Sequence, residues 1–180
     1  QVIIRDSAGA LLADIPHAEL RYRLPEILAG RIVLQRLTLD HPVFHVTKHR
    51  DGRMNYEEVL HLGESARSGP GTLIRFSDVE ILGGTLQLDL PWDPPDSMRS
   101  PAQAREALAL DRARPGRIIE SGPEGLTRRI RFDHLTARFP LVRLGTPDHQ
   151  PVQLIVDTLA TRISDPAVSV VDLNGTVEVE

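Results

Sequence analysis

Three histidines, His41, His45 and His49, stand four residues apart. On a helix that spacing would line three imidazoles along one face, as a zinc site requires. The residues between them include Pro42, Val43, Phe44, Val46 and Thr47, which favour a strand. On a strand the three still share a face, but successive members lie about 13 Å apart, too far for one ion with bonds of about 2 Å. They read as polar residues on a wet face. His17, His61, His134 and His149 are scattered, and there is no HExxH or HxH. With no cysteine, thiolate zinc, iron–sulfur centres, disulfides and a cysteine nucleophile are excluded. No metal and no cofactor are expected.

Acid chemistry has no better anchor. Asp6, Asp14, Asp89, Asp93 and Asp96 are spread along the chain, and Glu57-Glu58 suits the first turn of a helix. There is no GxSxG nucleophile elbow, Walker loop or GxGxxG. In Gly122-Pro123-Glu124-Gly125 the proline interrupts the run of N–H donors a phosphate nest needs. Arg128-Arg129-Ile130-Arg131 and the segment Arg112 to Arg117 could touch an anionic surface such as lipid head groups, though solvated arginine is the simpler reading. The net charge of −4 gives no global field toward nucleic acid, and none is expected as a partner. No catalytic residue is assigned, and the expectation is a protein that is not an enzyme.

The remaining candidate is greasy rather than reactive. Leu86, Leu88 and Leu90 alternate with Gln87 and Asp89, and Val171, Leu173, Val177 and Val179 alternate with Asp172, Asn174, Thr176 and Glu178. Such strands have one apolar and one wet face. Usually the apolar face is core, but a Leu/Val lining also supplies the unspecific contact an acyl chain needs. These seven residues are the candidate lipid-binding positions.

The elements that would carry them are mostly strands. Strands are expected over Val2 to Arg5, Leu11 to Ala13, Ile15 to Tyr22, Arg31 to Asp40, Val43 to His49, Leu73 to Leu82, Thr85 to Leu90, Thr127 to Pro140, Val152 to Ile163 and Ala167 to Glu180. Gly83-Gly84 reads as a hairpin turn. Pro25 to Gly30 reads as one helical turn, Tyr56 to Leu62 as a short helix capped by Asn55, and Gly63 to Gly71 as a loop. Residues 91–125, rich in Pro and Arg, form an inserted excursion. Within it Ser100-Pro101-Ala102-Gln103 has capping-box spacing, and a helix from Pro101 to Arg112 follows. The order is not βαβ alternation, which leaves an antiparallel sheet, barrel, sandwich or open groove. The 180 residues are of single-domain size, and Gln1 running into Val2-Ile3-Ile4 suggests a segment of a longer protein.

The first 62 residues resemble the AsmA-like superfamily of bacterial envelope proteins. The pattern runs from Ile3-Ile4-Arg5-Asp6-Ser7-Ala8-Gly9 to Leu24-Pro25-Glu26-Ile27-Leu28-Ala29-Gly30-Arg31-Ile32-Val33-Leu34. It continues through Leu37-Thr38-Leu39-Asp40-His41-Pro42-Val43-Phe44-His45-Val46 and closes with Arg50-Asp51-Gly52-Arg53-Met54-Asn55-Tyr56. Phe76 to Leu86 and Val171 to Val177 are similar to the family's later strand units, and residues 91–125 depart from the pattern.

The resemblance implies a mainly β fold. It would be an antiparallel, strongly curved sheet forming an open, taco-like groove, with two or three short helices. It implies a non-enzymatic module that binds or conducts phospholipid acyl chains between inner and outer membrane. Localisation would be periplasmic, with an inner-membrane anchor helix outside this chain and a further partner in the outer membrane or periplasm. The alternative is a scaffold that docks a partner by strand addition. A hydrolase or lectin-like site would need carboxylates or histidines converging on one cleft.

Overall fold

Apolar and polar residues alternating at period two make this chain mainly β, with strands accounting for 64% of the described residues. The computed structural model describes residues 1–6, 8–22, 32–60, 74–97, 100–122, 125–144 and 152–179. The order is β1 (Val2–Arg5), β2 (Leu11–Ile15), β3 (His17–Tyr22), β4 (Ile32–Asp40), β5 (Val43–Thr47), α1 (Asn55–Leu60) and β6 (Ile74–Pro91). Then follow α2 (Pro101–Arg112), β7 (Ile118–Gly122), β8 (Gly125–Leu144), β9 (Val152–Val156), β10 (Thr158–Ser164), β11 (Ala167–Val170) and β12 (Gly175–Val179). The expected helical turn at 25–30 and loop at 63–71 lie outside the described residues.

All twelve strands join one sheet that does not close on itself. Its axis is β6 against β8, antiparallel from Ile74 opposite Leu144 to Pro91 opposite Thr127. On the other edge of β6 lie β4 and then β5, with Asp40 opposite Leu82 and Val43 opposite Thr85. Both pairings are parallel, so the sheet is mixed and the antiparallel expectation is corrected. The physical reason is the connection. The chain leaves β5, passes through α1, and returns to start β6 at the end where β4 started.

Several strands are halves of one ribbon. β2 pairs β5 (Ala13 opposite Phe44) and β3 pairs β4 (His17 opposite Asp40) in a single register that runs through Pro16 and through His41-Pro42. β9 and β10 lie along β8 in the same way, interrupted at Asp157. The interruptions near the middle fall on one line across the sheet. Pro42 is fully buried there, and His41, Gly83 and His134 have φ of 49°, 64° and 54°. The β6–β8 register shifts around Gly84, and the β10–β8 register between Ala160 and Arg162. Prolines, positive φ and bulges bend strands and increase their twist.

The bend corrects the hairpin expectation at Gly83-Gly84. β6 passes straight through both glycines. Position 84 leaves little room for a side chain, because a Cβ would stand 3.1 Å from the Pro42 Cγ and 3.1 Å from the Pro42 carbonyl oxygen. The glycines serve close approach of β5 to β6 rather than chain reversal. The buried cluster collects at this line. Ala13, Ile15, Leu39, Ile81, Leu135 and Ala137 form it, with Leu37 and Phe139 from one side of the bend and Phe44 and Leu86 from the other packed against it. Residues from both sides of the line therefore pack on one buried cluster.

Two local expectations also change. Asn55 spends its amide on β5 instead of capping α1: its Oδ1 accepts from the Thr47 N–H at 3.0 Å and its Nδ2 donates to the His45 carbonyl at 3.0 Å. The C-terminal run is two strands, because the chain leaves the ladder over residues 171–174 before β12 resumes beside β9. The capping box at Ser100 and Gln103 forms as read, at 3.1 and 3.2 Å.

Replacing Gly84 with Val should cost about 1–3 kcal/mol of unfolding free energy through overpacking against Pro42. Gly175→Ala, where a Cβ meets nothing within 4 Å, should stay within about 0.5 kcal/mol of wild type. Urea titration of both variants checks this; equal midpoints would show that the bend is not tightly packed.

Candidate functional site

Directly opposed residues share a face of a sheet. One row can be followed through seven strands: Ile4, Ala13, Phe44, Leu86, Phe132, Ile163 and Val168. Every member is apolar. At strand spacing the row is about 29 Å long. Two residues further along the strands lie Val46, Leu88 and Ile130, again mutually opposed, and then Leu90 opposite Arg128. Phe44, Val46, Leu86, Leu88, Leu90, Ile130, Phe132 and Ile163 are all half-buried. The opposite face of the same strands is polar, with His45 opposite Gln87 and Gln87 opposite Arg131. On that face the Arg129 guanidinium grips Asp89 at 2.9 and 3.0 Å and reaches Glu120 at 3.1 Å.

The apolar lane is closed at one end by the excursion. Leu126, Arg128 and Ile130 alternate onto one face of β8, and Ile119 of β7 stands opposite Arg128. Helix α2 lays Ala107 and Leu108 on Trp92, Ile119 and Leu126, forming a second buried cluster on that face. Val46, Leu88 and Ile130 belong to neither this cluster nor the one at the bend. They floor the stretch between them.

An ionic cluster fixes the helix in place. Asp165, 5% exposed, accepts from Arg117 Nε at 2.8 Å and Nη2 at 3.1 Å, and from Arg128 Nε at 2.7 Å. Arg117 also pairs with Asp111 of α2 at 2.8 Å, and Asp111 accepts from the Trp92 indole N–H at 2.7 Å. Burial alone would raise the Asp165 carboxyl, but the hydrogen bonds from Arg117 and Arg128 outweigh it and the net direction is down. The Trp92 hydrogen bond lowers Asp111, against desolvation and aided by Arg117 and Arg114. Gly116 makes the close approach possible, since its φ is 78° and a Cβ there would collide with the Ser164 carbonyl oxygen.

The candidate residues from the sequence are distributed as follows. Leu86, Leu88 and Leu90 share the lane face of β6. Val171 and Leu173 lie in the break between strands, 82% and 53% exposed. Val177 and Val179 are backbone members of β12, opposite Leu154 and Val152. Phe44, Val46, Ile130, Phe132 and Ile163 join the lane without having been singled out. Ile130 and Phe132 alternate visibly, but the surrounding arginines mask them. Those basic runs are spent on ion pairs: Arg117, Arg128, Arg129 and Arg131 are held by carboxylates of this same chain. Among the described residues no three His, Asp or Glu side chains gather to hold a metal, and no helix is long and apolar enough to cross a membrane. Comparisons of the chain with known protein families, with curated proteins and with solved structures find no match.

Neutralising Asp165 leaves Arg128 without this anion and Arg117 with Asp111 alone. Asp165→Asn should therefore cost about 3 kcal/mol. Asp165 and Asp111 have lowered folded pKa values, so their contribution is complete above the usual 3.8 and is lost as pH falls through the folded values. Urea midpoints followed against pH should fall steeply below about pH 4 in wild type, and less steeply in Asp165→Asn.

Proposed function

We propose that this chain is a non-enzymatic module that binds phospholipid acyl chains along the lane of Leu86, Leu88 and Leu90. The supporting observation is the half-buried strip of Val46, Leu88 and Ile130 between two buried clusters, on a sheet whose other face is polar. Acyl chains need continuous apolar contact and no reactive group, and the lane offers that. A strongly curved open groove, with α2 stopping one end, belongs to this reading. So does the resemblance to AsmA-like envelope proteins, with placement in the periplasm, an inner-membrane anchor outside this chain and lipid passing toward the outer membrane.

A second reading rests on β3. All six of its residues are exposed, Leu20 and Tyr22 by 47% and 54%, and its ladder partner among the described residues is β4 alone. Such an edge can accept a strand from a partner.

The two readings separate by mutation. With a fluorescent fatty-acyl probe, Leu88→Glu should weaken binding about tenfold or more by placing a charge in the lane. Leu173→Glu, outside the lane, should bind as wild type does. Probe retained by Leu88→Glu, or never bound by wild type, would remove the lipid reading and leave the β3 edge.

A further inference from the structure

Five strands of the sheet have a single ladder neighbour among the described residues: β1, β3, β7, β11 and β12. Strands at such edges present a row of N–H and C=O groups to any further strand. Their charges tell them apart. β1 carries only Arg5, β7 only Glu120, β12 only Glu178 and β11 none. β3, which reads His17-Ala18-Glu19-Leu20-Arg21-Tyr22, carries both signs two residues apart, and all of its residues are exposed.

The ladder sorts β3 into two faces. Ala18, Leu20 and Tyr22 stand opposite Leu39, Leu37 and Leu34 of β4, on the face of the buried cluster that holds Leu39. Glu19 and Arg21 stand opposite Thr38 and Arg36 on the other face, with Glu19 3.6 Å from the His17 Nε2. An added antiparallel strand must set apolar residues opposite apolar ones, since a slip of one residue exchanges the faces. For β3 of a second copy, two registers meet that condition over most of the strand. Centred on Glu19, the pairing sets Glu19 against Glu19, and like charges directly opposite are destabilising. Centred on Leu20, it sets Leu20 against Leu20, Ala18 against Tyr22 and, twice by symmetry, Glu19 against Arg21. Opposite charges in such pairs are favourable.

We propose that β3 pairs antiparallel with β3 of a second copy of this chain, centred on Leu20, in a two-fold dimer with one continuous sheet. The inference rests on the reading of β3 as a strand acceptor, and it names the partner. An antiparallel contact between identical edges has its two-fold axis normal to the sheet, so it covers both edges at once and closes. The same axis keeps the apolar faces of the two copies on one side, with the row Leu20, Leu37, Val79 and Phe139 repeated across it. The contact is one short strand, so assembly depends on concentration. It weakens as salt rises, because Glu19 and Arg21 are exposed.

Sedimentation equilibrium of the whole chain at low salt, over a concentration series, should show monomer and dimer in equilibrium. Glu19→Arg and Arg21→Glu each set like charges opposite one another across the axis, and each should weaken the dimer about tenfold or more. An equal mixture of the two variants should recover it, because every charge then meets its opposite on the other chain. The double swap within one chain should recover it as well. Charges that served only the monomer would give no such rescue in trans. Circular dichroism of both variants should match wild type, as expected for exposed side chains. A dimer indifferent to both substitutions, a loss that the mixture does not recover, or assembly beyond dimers overturns the β3–β3 pairing. A wild type that stays monomeric overturns it too, and a capped peptide of the sequence His17–Tyr22 then decides the broader reading. Amide NMR shifts along β3 on adding that peptide would leave β3 an acceptor for some other strand. No shifts would remove the acceptor reading as well.

Discussion

Contact between Pro42 and Gly84 is the constraint on which the sheet depends. Pro42 is fully buried, and the absence of a Cβ at Gly84 lets β5 and β6 close to contact there. The ribbons on either side keep their register through the bend, so pairing is sacrificed at a few positions rather than along whole strands. Leu39, Ile81, Leu135 and Ala137 collect at this line and form the buried core with Ala13 and Ile15. Strain at His41 and His134, the two positive-φ histidines on the line, is offset by that burial.

The second organising interaction is ionic. The excursion is poor in large apolar residues, and its small cluster of Trp92, Ala107 and Ile119 is thin anchorage for a twelve-residue helix. Asp165 and Asp111 supply the rest by gathering Arg117, Arg128 and the Trp92 indole. A carboxylate this deeply placed is tolerable because each oxygen has a charged donor. Along β6 the run of alternating leucines ends at Leu90, where charged groups begin with Lys48 and Arg128.

The proposed lipid-binding role rests on the sequence of these environments along β6. The strand runs from the bend core at Ile81, through Leu86 and Leu88, to Leu90, and then to Trp92 under α2. Apolar contact of this kind would give affinity without reactive groups. On the polar face, the Asp89–Arg129–Glu120 pairing keeps charges away from the lane while holding the strands in register.

The sequence by itself determined the strands, the apolar alternation at Leu86, Leu88 and Leu90, and the helix launched by Ser100 and Gln103. These are local properties, set by period-two patterning and by hydrogen bonds between residues three apart. It also left Gly83-Gly84 looking like a turn, because a glycine pair that reverses a chain and one that admits a neighbouring strand are identical locally. Only the tertiary structure decided the parallel pairing of β4 and β5 with β6, since strand direction depends on where the crossover returns. It alone gave Arg117, Arg128 and Arg129 their carboxylate partners, because these lie 37 to 48 residues away for Asp165 and 40 for Asp89. And it alone took Val171 and Leu173 off the strand that their alternation describes, because a ladder forms only where a partner strand is in register beside it.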